Sequence, residues 1–266
     1  MCSSSPTPAS GPGGLRRFSY VSTSYVAGTH RGRFGEDDLD AGQAFRNAYE
    51  QSKFEAESLV RSRMDRLPIQ VFRPSIVVGE RDTGWTPAFN VIYWPMRAFS
   101  RGAYTALPAR RVSPVDVVSI DFVADAIFAL ASADDGEGET FALAAGPRAS
   151  TVGELLDLSA RAFDRPPPRT ISQGVYRRTV HPLLLRRADE RRRATLRATE
   201  VFFPYFAMRQ EFDTSRAAER LAPLGIEPAP LDEYFEQLVD YAVAADWGRA
   251  PLPRPPSRVS RLAAVA

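Results

Sequence analysis

The chain has 266 residues, 44% hydrophobic and 25% charged, with a formal net charge of +2. That is enough chain and enough apolar content for a real core, and the small charge argues against nucleic acid as a main partner. The one cysteine, Cys2, excludes an internal disulfide framework and fits a reducing compartment.

No apolar run approaches the roughly 20 residues that cross a bilayer, and no hydrophobic leader opens the chain. A cytoplasmic protein without a membrane span is expected. Residues 1–16, beginning MCSSSPTPASGPGG, are small, polar and Pro/Gly-rich and read as a disordered lead. RRFSYVSTSYVAG then predicts a short strand carried by Phe18, Tyr20 and Val21 and broken at Gly28. THRGRFGEDDLDAGQ reads as loop, with Asp37, Asp38 and Asp40 as solvating charges. In AFRNAYEQSKFEAESLVRSRMDR the spacing of Ala44, Ala48, Phe54, Leu59 and Met64 predicts a helix ending before Leu67-Pro68. IQVFRPSIVVG is a β-branched, apolar strand running into a loop at Pro74 and Gly79. Strand, helix and strand in this order predict a parallel βαβ unit.

Further on, PAFNVIYWPMRAFSRG predicts a helix interrupted at Pro95, and VSPVDVVSIDFVADAIFALASA a strand followed by a helix from about Asp121. ETFALAAG reads as a strand. TVGELLDLSARAFD reads as a helix with Thr151 as N-cap and Glu154 completing a capping box. A Pro-rich break at 166–168 precedes a basic helical stretch around residues 183–198, whose RRADERRRATLR run reads as a solvated face. DTSRAAERLAPLG and PLDEYFEQLVDYAVAADWG are helices each ended by a glycine, and 249–266 reads as a loose tail.

Lys53 is the only lysine among 34 basic residues. It stands four residues after Tyr49 on the predicted helix, so the two side chains share one face. Tyrosine loses its proton near pH 10, and an adjacent ammonium favours the phenolate, which makes such a pair a proton donor and acceptor. Arginine's planar fork does not substitute for so compact a cation. His30 and His181 are isolated and no carboxylate cluster has ligand spacing, so no metal is expected.

YVSTSYVAG, then Tyr49-x-x-x-Lys53, then VFRPSIVVGERDTG resemble, in order and spacing, the second half of an extended short-chain dehydrogenase/reductase. Within that superfamily the wording is most similar to the fatty acyl-CoA reductase and thioester reductase branch, the male sterility type of NAD-binding domain. Softer similarity continues through VSPVDVVSIDFVADAI to FDTSRAAERLAPLGI. The resemblance implies an α/β fold: a partial Rossmann-type, doubly wound parallel sheet over 17–82 that includes the catalytic helix, followed by a mostly helical substrate lobe over 83–248. It implies Thr23, 26 residues before Tyr49, as the hydroxyl that orients the substrate oxygen, with Ser22 and Ser24 as close alternatives. Tyr49 would donate the proton and, with Lys53, hold the nicotinamide ribose; Pro74, Ser75, Ile76 and Val77 would pass the nicotinamide. The cofactor would be NADP or NAD, NADP being the family habit, and the substrate an acyl-CoA or acyl-carrier thioester. Trp94, Met96 and Phe99 either line an acyl pocket or pack the core.

The sequence departs from the family in its opening. Family members begin with a strand, a glycine-rich turn and a helix that receives the pyrophosphate. Here GPGG at 11–14 is followed by LRRFSY, and roughly the first hundred residues of the pattern are not found. This leaves three expectations open: a reductase, an NAD-dependent sugar-nucleotide epimerase or dehydratase on the same scaffold, and a truncated, inactive fragment or binding protein. The strand at Phe18 is expected to form a raw sheet edge. Oligomeric state stays open.

Overall fold

A computed structural model describes residues 15–200 and 203–255. Cys2 and the rest of the lead up to residue 14, and the tail from residue 256, lie outside the described residues. From the N-terminal side, β1 (Phe18–Val21) passes through a 3-10 turn (Ser24–Ala27) to β2 (Gly32–Phe34), α1 (Ala48–Arg61), β3 (Ile69–Pro74) and β4 (Ile76–Val78). Then come α2 (Tyr93–Ser100), β5 (Ala106–Leu107), β6 (Pro114–Val115), β7 (Val117–Ser119), α3 (Ile120–Ser132), β8 (Thr140–Leu143), β9 (Ser150–Thr151) and α4 (Val152–Ala162). After β10 (Arg169–Thr170), α5 (Gln173–Val175) runs by a π turn (Tyr176–Val180) into α6 (His181–Arg187). The chain continues with α7 (Glu190–Thr199), β11 (Gln210–Phe212), α8 (Ser215–Leu221) and α9 (Phe235–Ala244).

The expected βαβ unit is present. β1 and β3 are parallel, Phe18 opposite Ile69 through to Val21 opposite Phe72, with α1 as the crossover. β8 adds in parallel on the far side, so the order is β1-β3-β8 and β3 is the central strand. A central parallel strand is covered on both faces, so Ile69–Pro74 is buried throughout, its polar Gln70 and Arg73 included. α3 covers one face, setting Phe122, Ala126 and Leu130 against Phe72, Phe141 and Leu143. A second cluster joins α2, α4 and α9 to the short β4–β7 pair through Tyr93, Met96, Leu155, Phe235 and Leu238.

Several expected boundaries move for local reasons. α1 starts at Ala48, not near Ala44, because the Asn47 side chain accepts the Glu50 amide hydrogen and caps the helix there. The Ser24–Ala27 turn ends at Gly28, whose φ is +49° and where a Cβ would run into the Ala44 carbonyl. The single strand expected over 69–79 is two. The Ser75 amide still follows Leu143 in the main sheet, but the Ile76 amide turns to the Asp116 carbonyl and pairs with β7. Pro95 does not interrupt α2; it sits in the first turn, where its missing N–H would have had no helical partner.

The stretch expected to be all loop contains β2, parallel to β11, with Phe34 and Phe212 opposite each other and both buried. Nor are its aspartates mere solvating charges. Asp37 pairs with Arg216, and the Asp38 carboxylate accepts the Gly35 amide. The capping box of α4 is present as expected. So is the glycine after α8, where Gly225 takes the left-handed conformation following a short 3-10 turn.

Candidate active site

Tyr49 and Lys53 lie in the first two turns of α1. Tyr49 is 56% exposed, and its hydroxyl has no hydrogen-bond partner among the described residues. The Lys53 ammonium donates to the Val21 carbonyl at 2.8 Å and lies 5.2 Å from the centre of the Tyr20 ring. The cation is thus pinned to the last residue of β1, two residues before Thr23, with its remaining hydrogens available. Tyr20 completes the cluster: burial holds its hydroxyl above the usual tyrosine range, and the nearby Glu57 and Tyr49 add to this.

The three hydroxyls after β1 all face inward. Ser22 donates to Glu57, Thr23 to the Pro74 carbonyl at 3.3 Å, and Ser24 to the Arg73 carbonyl at 2.8 Å. The Thr23 oxygen also accepts the Tyr25 amide. Together they stitch the end of β1 to the end of β3. Thr23 is buried and engaged with main chain on both sides, so it meets a substrate oxygen only by giving up one of these bonds.

Pro74 closes β3, and its carbonyl takes the Thr23 hydroxyl. Ser75 is buried beside Asp116, Ile76 begins β4, and Val77 is exposed. Asp116 is a wholly buried carboxylate that accepts the amides of Ala145 and Gly146. Burial drives its proton affinity up, against the pull of the Ser75 hydroxyl and the two amides. Parallel α/β sheets place their ligands outside the carboxyl ends of the strands, and Thr23, Lys53 and the 74–77 loop all gather there. Met96 and Phe99 are buried, whereas Trp94 is 50% exposed and faces away from the interior.

Two buried polar networks hold this corner and were not foreseen. In the first, Glu57, one turn after Lys53, forms a 2.6 Å ion pair with Arg73 of β3. Arg73 also donates to the carbonyls of Gly35 and Asp38 and lies over the Phe34 ring. In the second, Glu50 takes a bond from the Tyr205 hydroxyl at 2.9 Å and pairs with Arg46, while Asn47 donates to that same hydroxyl. Burial and the neighbouring Glu50 push the Tyr205 hydroxyl well above the usual tyrosine range. The available signal was the arginine inside VFRPS: a charge in a strand buried on both faces needs a buried partner.

A phenol with no partner among the described residues, an ammonium with hydrogens to give and a loop at the strand ends are groups that could hold the ribose and nicotinamide end of a dinucleotide. Among the described residues no helix is entered through a glycine-rich turn, so a pyrophosphate cradle is not among them. Nor do the described residues include three His, Cys, Asp or Glu side chains grouped to hold a metal ion, or a helix long and apolar enough to cross a membrane.

The family model described as "Male sterility protein", an NAD-binding domain, matches residues 9–127. A search of curated proteins found no match. Among solved structures, the terminal R domain from the myxalamid PKS-NRPS biosynthetic pathway superposes with a TM-score of 0.70 at 21% identity, over 89% of this chain and 60% of that one. The thiolation-reductase di-domain from an archaeal non-ribosomal peptide synthetase gives 0.64 at 17%, over 87% and 49%. The UDP-glucuronic acid 4-epimerase from Bacillus cereus, in complex with NAD, gives 0.58 at 17%, over 86% and 62%. The fold is therefore Rossmann-type α/β, and the chain spans about half to two thirds of the length of these structures.

Proposed function

We propose that this chain, which carries a male sterility family segment over residues 9–127, is the proton-donating and acyl-binding side of a nicotinamide-dependent reductase acting on fatty acyl-CoA or a carrier-bound thioester. The observation that carries this reading is Lys53, one turn from Tyr49 with its exposed side chain, pinned to the end of β1 two residues before Thr23, whose hydroxyl reaches the Pro74 carbonyl. A nicotinamide cofactor, when bound, supplies the hydride; NADPH is proposed ahead of NADH on the family resemblance alone. Tyr49 delivers a proton to the substrate oxygen, and Lys53 stabilises the phenolate left behind and holds the ribose. Thr23 orients that oxygen once its hydroxyl turns from Pro74. A sugar nucleotide is less well served, because the cavity that Ile76 lines and the one sharing its Ile92–Pro95 wall are lined almost wholly by carbon.

With no described cradle for pyrophosphate, the 266-residue chain is expected to bind NADPH only in the millimolar range, on the order of −4 kcal/mol. Turnover of acyl-CoA is followed by loss of NADPH absorbance at saturating cofactor. Tyr49→Phe should lower kcat by about 10²–10⁴-fold with little change in KM. Unchanged kcat in that variant would overturn the assignment of Tyr49. Micromolar NADPH binding would show that the residues present suffice for the whole cofactor. No turnover with acyl binding retained would make the chain a binding protein on this scaffold.

A further inference from the structure

Two apolar cavities lie end to end behind the strand ends. The first, about 40 Å³, lies between Tyr25 and Ile76, the latter in the loop proposed to pass the nicotinamide. The second, about 30 Å³, lies deeper, among Met96, Phe99, Tyr104 and Leu107. Ile92, Pro95, Leu155 and Phe206 line both, so they form the wall between them. Cavities lined by carbon stay dry, and their walls forgo dispersion contacts that a filling group would restore.

Three parts of the wall are fixed. Ile92 and Leu155 are buried in the cluster that joins α2, α4 and α9, and Pro95 is held in the first turn of α2. Phe206 differs. It sits partly exposed in the three-residue turn Tyr205–Ala207, outside the long helices. Its neighbour Tyr205 donates to Glu50, the residue after Tyr49, so the turn that carries the partition is bonded to the helix that carries the phenol.

We propose that the two cavities form one binding track for a linear acyl chain, and that Phe206 is the movable partition deciding how long a chain the track accepts. The thioester end would lie at the Tyr25–Ile76 mouth and the methyl end toward Tyr104 and Leu107. The proposal rests on the reductase reading for the identity of the head group, but the chain-length preference belongs to the cavities themselves.

The test uses S-methyl, S-butyl and S-octyl pantetheine thioethers, which cannot be reduced, titrated calorimetrically into the 266-residue chain without cofactor. Affinity should tighten by roughly fourfold per methylene until the track is full. Phe206→Ala should move that limit to longer chains and Phe206→Trp to shorter ones. Leu107→Phe, which fills the deeper cavity from a strand, should weaken the longest analogue selectively and serves if Phe206→Ala does not fold. Affinity independent of chain length, or substitutions that shift all three analogues equally, would overturn the proposal. Because no reduction is involved, a chain-length series that holds while acyl-CoA is not turned over supports the track and counts against the reductase. Turnover without a chain-length series does the reverse.

Discussion

The buried pair of Glu57 and Arg73 is where a single side chain matters most. Both are almost wholly enclosed, and each has several partners. Glu57 takes the Ser22 hydroxyl and the guanidinium, while Arg73 also satisfies the carbonyls of Gly35 and Asp38. Removing one member of such a pair leaves a buried charge uncompensated, at about 3–5 kcal/mol. Arg73→Met should therefore lower the urea unfolding free energy by about that much, more than Arg61→Met, whose 3.9 Å contact with Glu57 is long. A loss below about 1 kcal/mol would mean that water reaches the pair. The placement of Tyr49 and Lys53 one turn apart on a helix was legible because their spacing is local. Glu57 and Arg73 were not read as partners because their contact joins a helix to a strand, and hydropathy on α1 marks Glu50 and Glu57 as surface residues although both are buried.

At the level of elements, helices and the buried strands of the main sheet were readable, since caps and apolar runs are signals within one segment. The β2–β11 pair was not. Its strands lie far apart in sequence, and each offers one buried phenylalanine at its end among polar neighbours. Part of what holds them is the 2.7 Å bridge between Arg33 on β2 and Asp213 just after β11. The hydrogen bond from Arg33 draws the Asp213 carboxyl down from 3.8 to about 2, helped by Ser215. A carboxyl depressed in the folded state contributes stability that is present above its unfolded value of 3.8 and is lost as pH falls toward 2. Arg33 is largely exposed, so solvent and salt reduce the size of the effect. Thermal unfolding of the wild type should accordingly fall more steeply between these two pH values than that of Asp213→Asn, and the difference should shrink in high salt. Parallel slopes for the two proteins would assign the acid sensitivity elsewhere.

Across the whole molecule, the sheet order leaves β1 with one side paired to β3 and the other unpaired among the described residues. The strand and the helix beside it also expose apolar side chains: Phe18 is 42% and Val21 45% exposed, and Tyr49 and Leu59 on α1 are exposed as well. Lys53 occupies the carbonyl of Val21, so the open stretch of backbone lies toward Phe18. An uncharged, apolar strand edge is a template for pairing, and proteins that leave such edges in water blunt them with charge, most often lysine. The 266-residue polypeptide, expressed alone, is therefore expected to self-associate through β1 as its concentration rises. Phe18→Lys keeps the backbone and removes only an exposed side chain, so stability should change by no more than about 0.5 kcal/mol. The lysine places a charge where two copies would meet, and sedimentation velocity should show the association lost or strongly weakened while the melting temperature stays put. Leu183→Lys, at an exposed position on α6 away from β1, is the control and should associate like the wild type. A wild type that stays monomeric across the concentration range, or a Phe18→Lys variant that associates equally well, would show that the β1 edge is protected by something other than a strand.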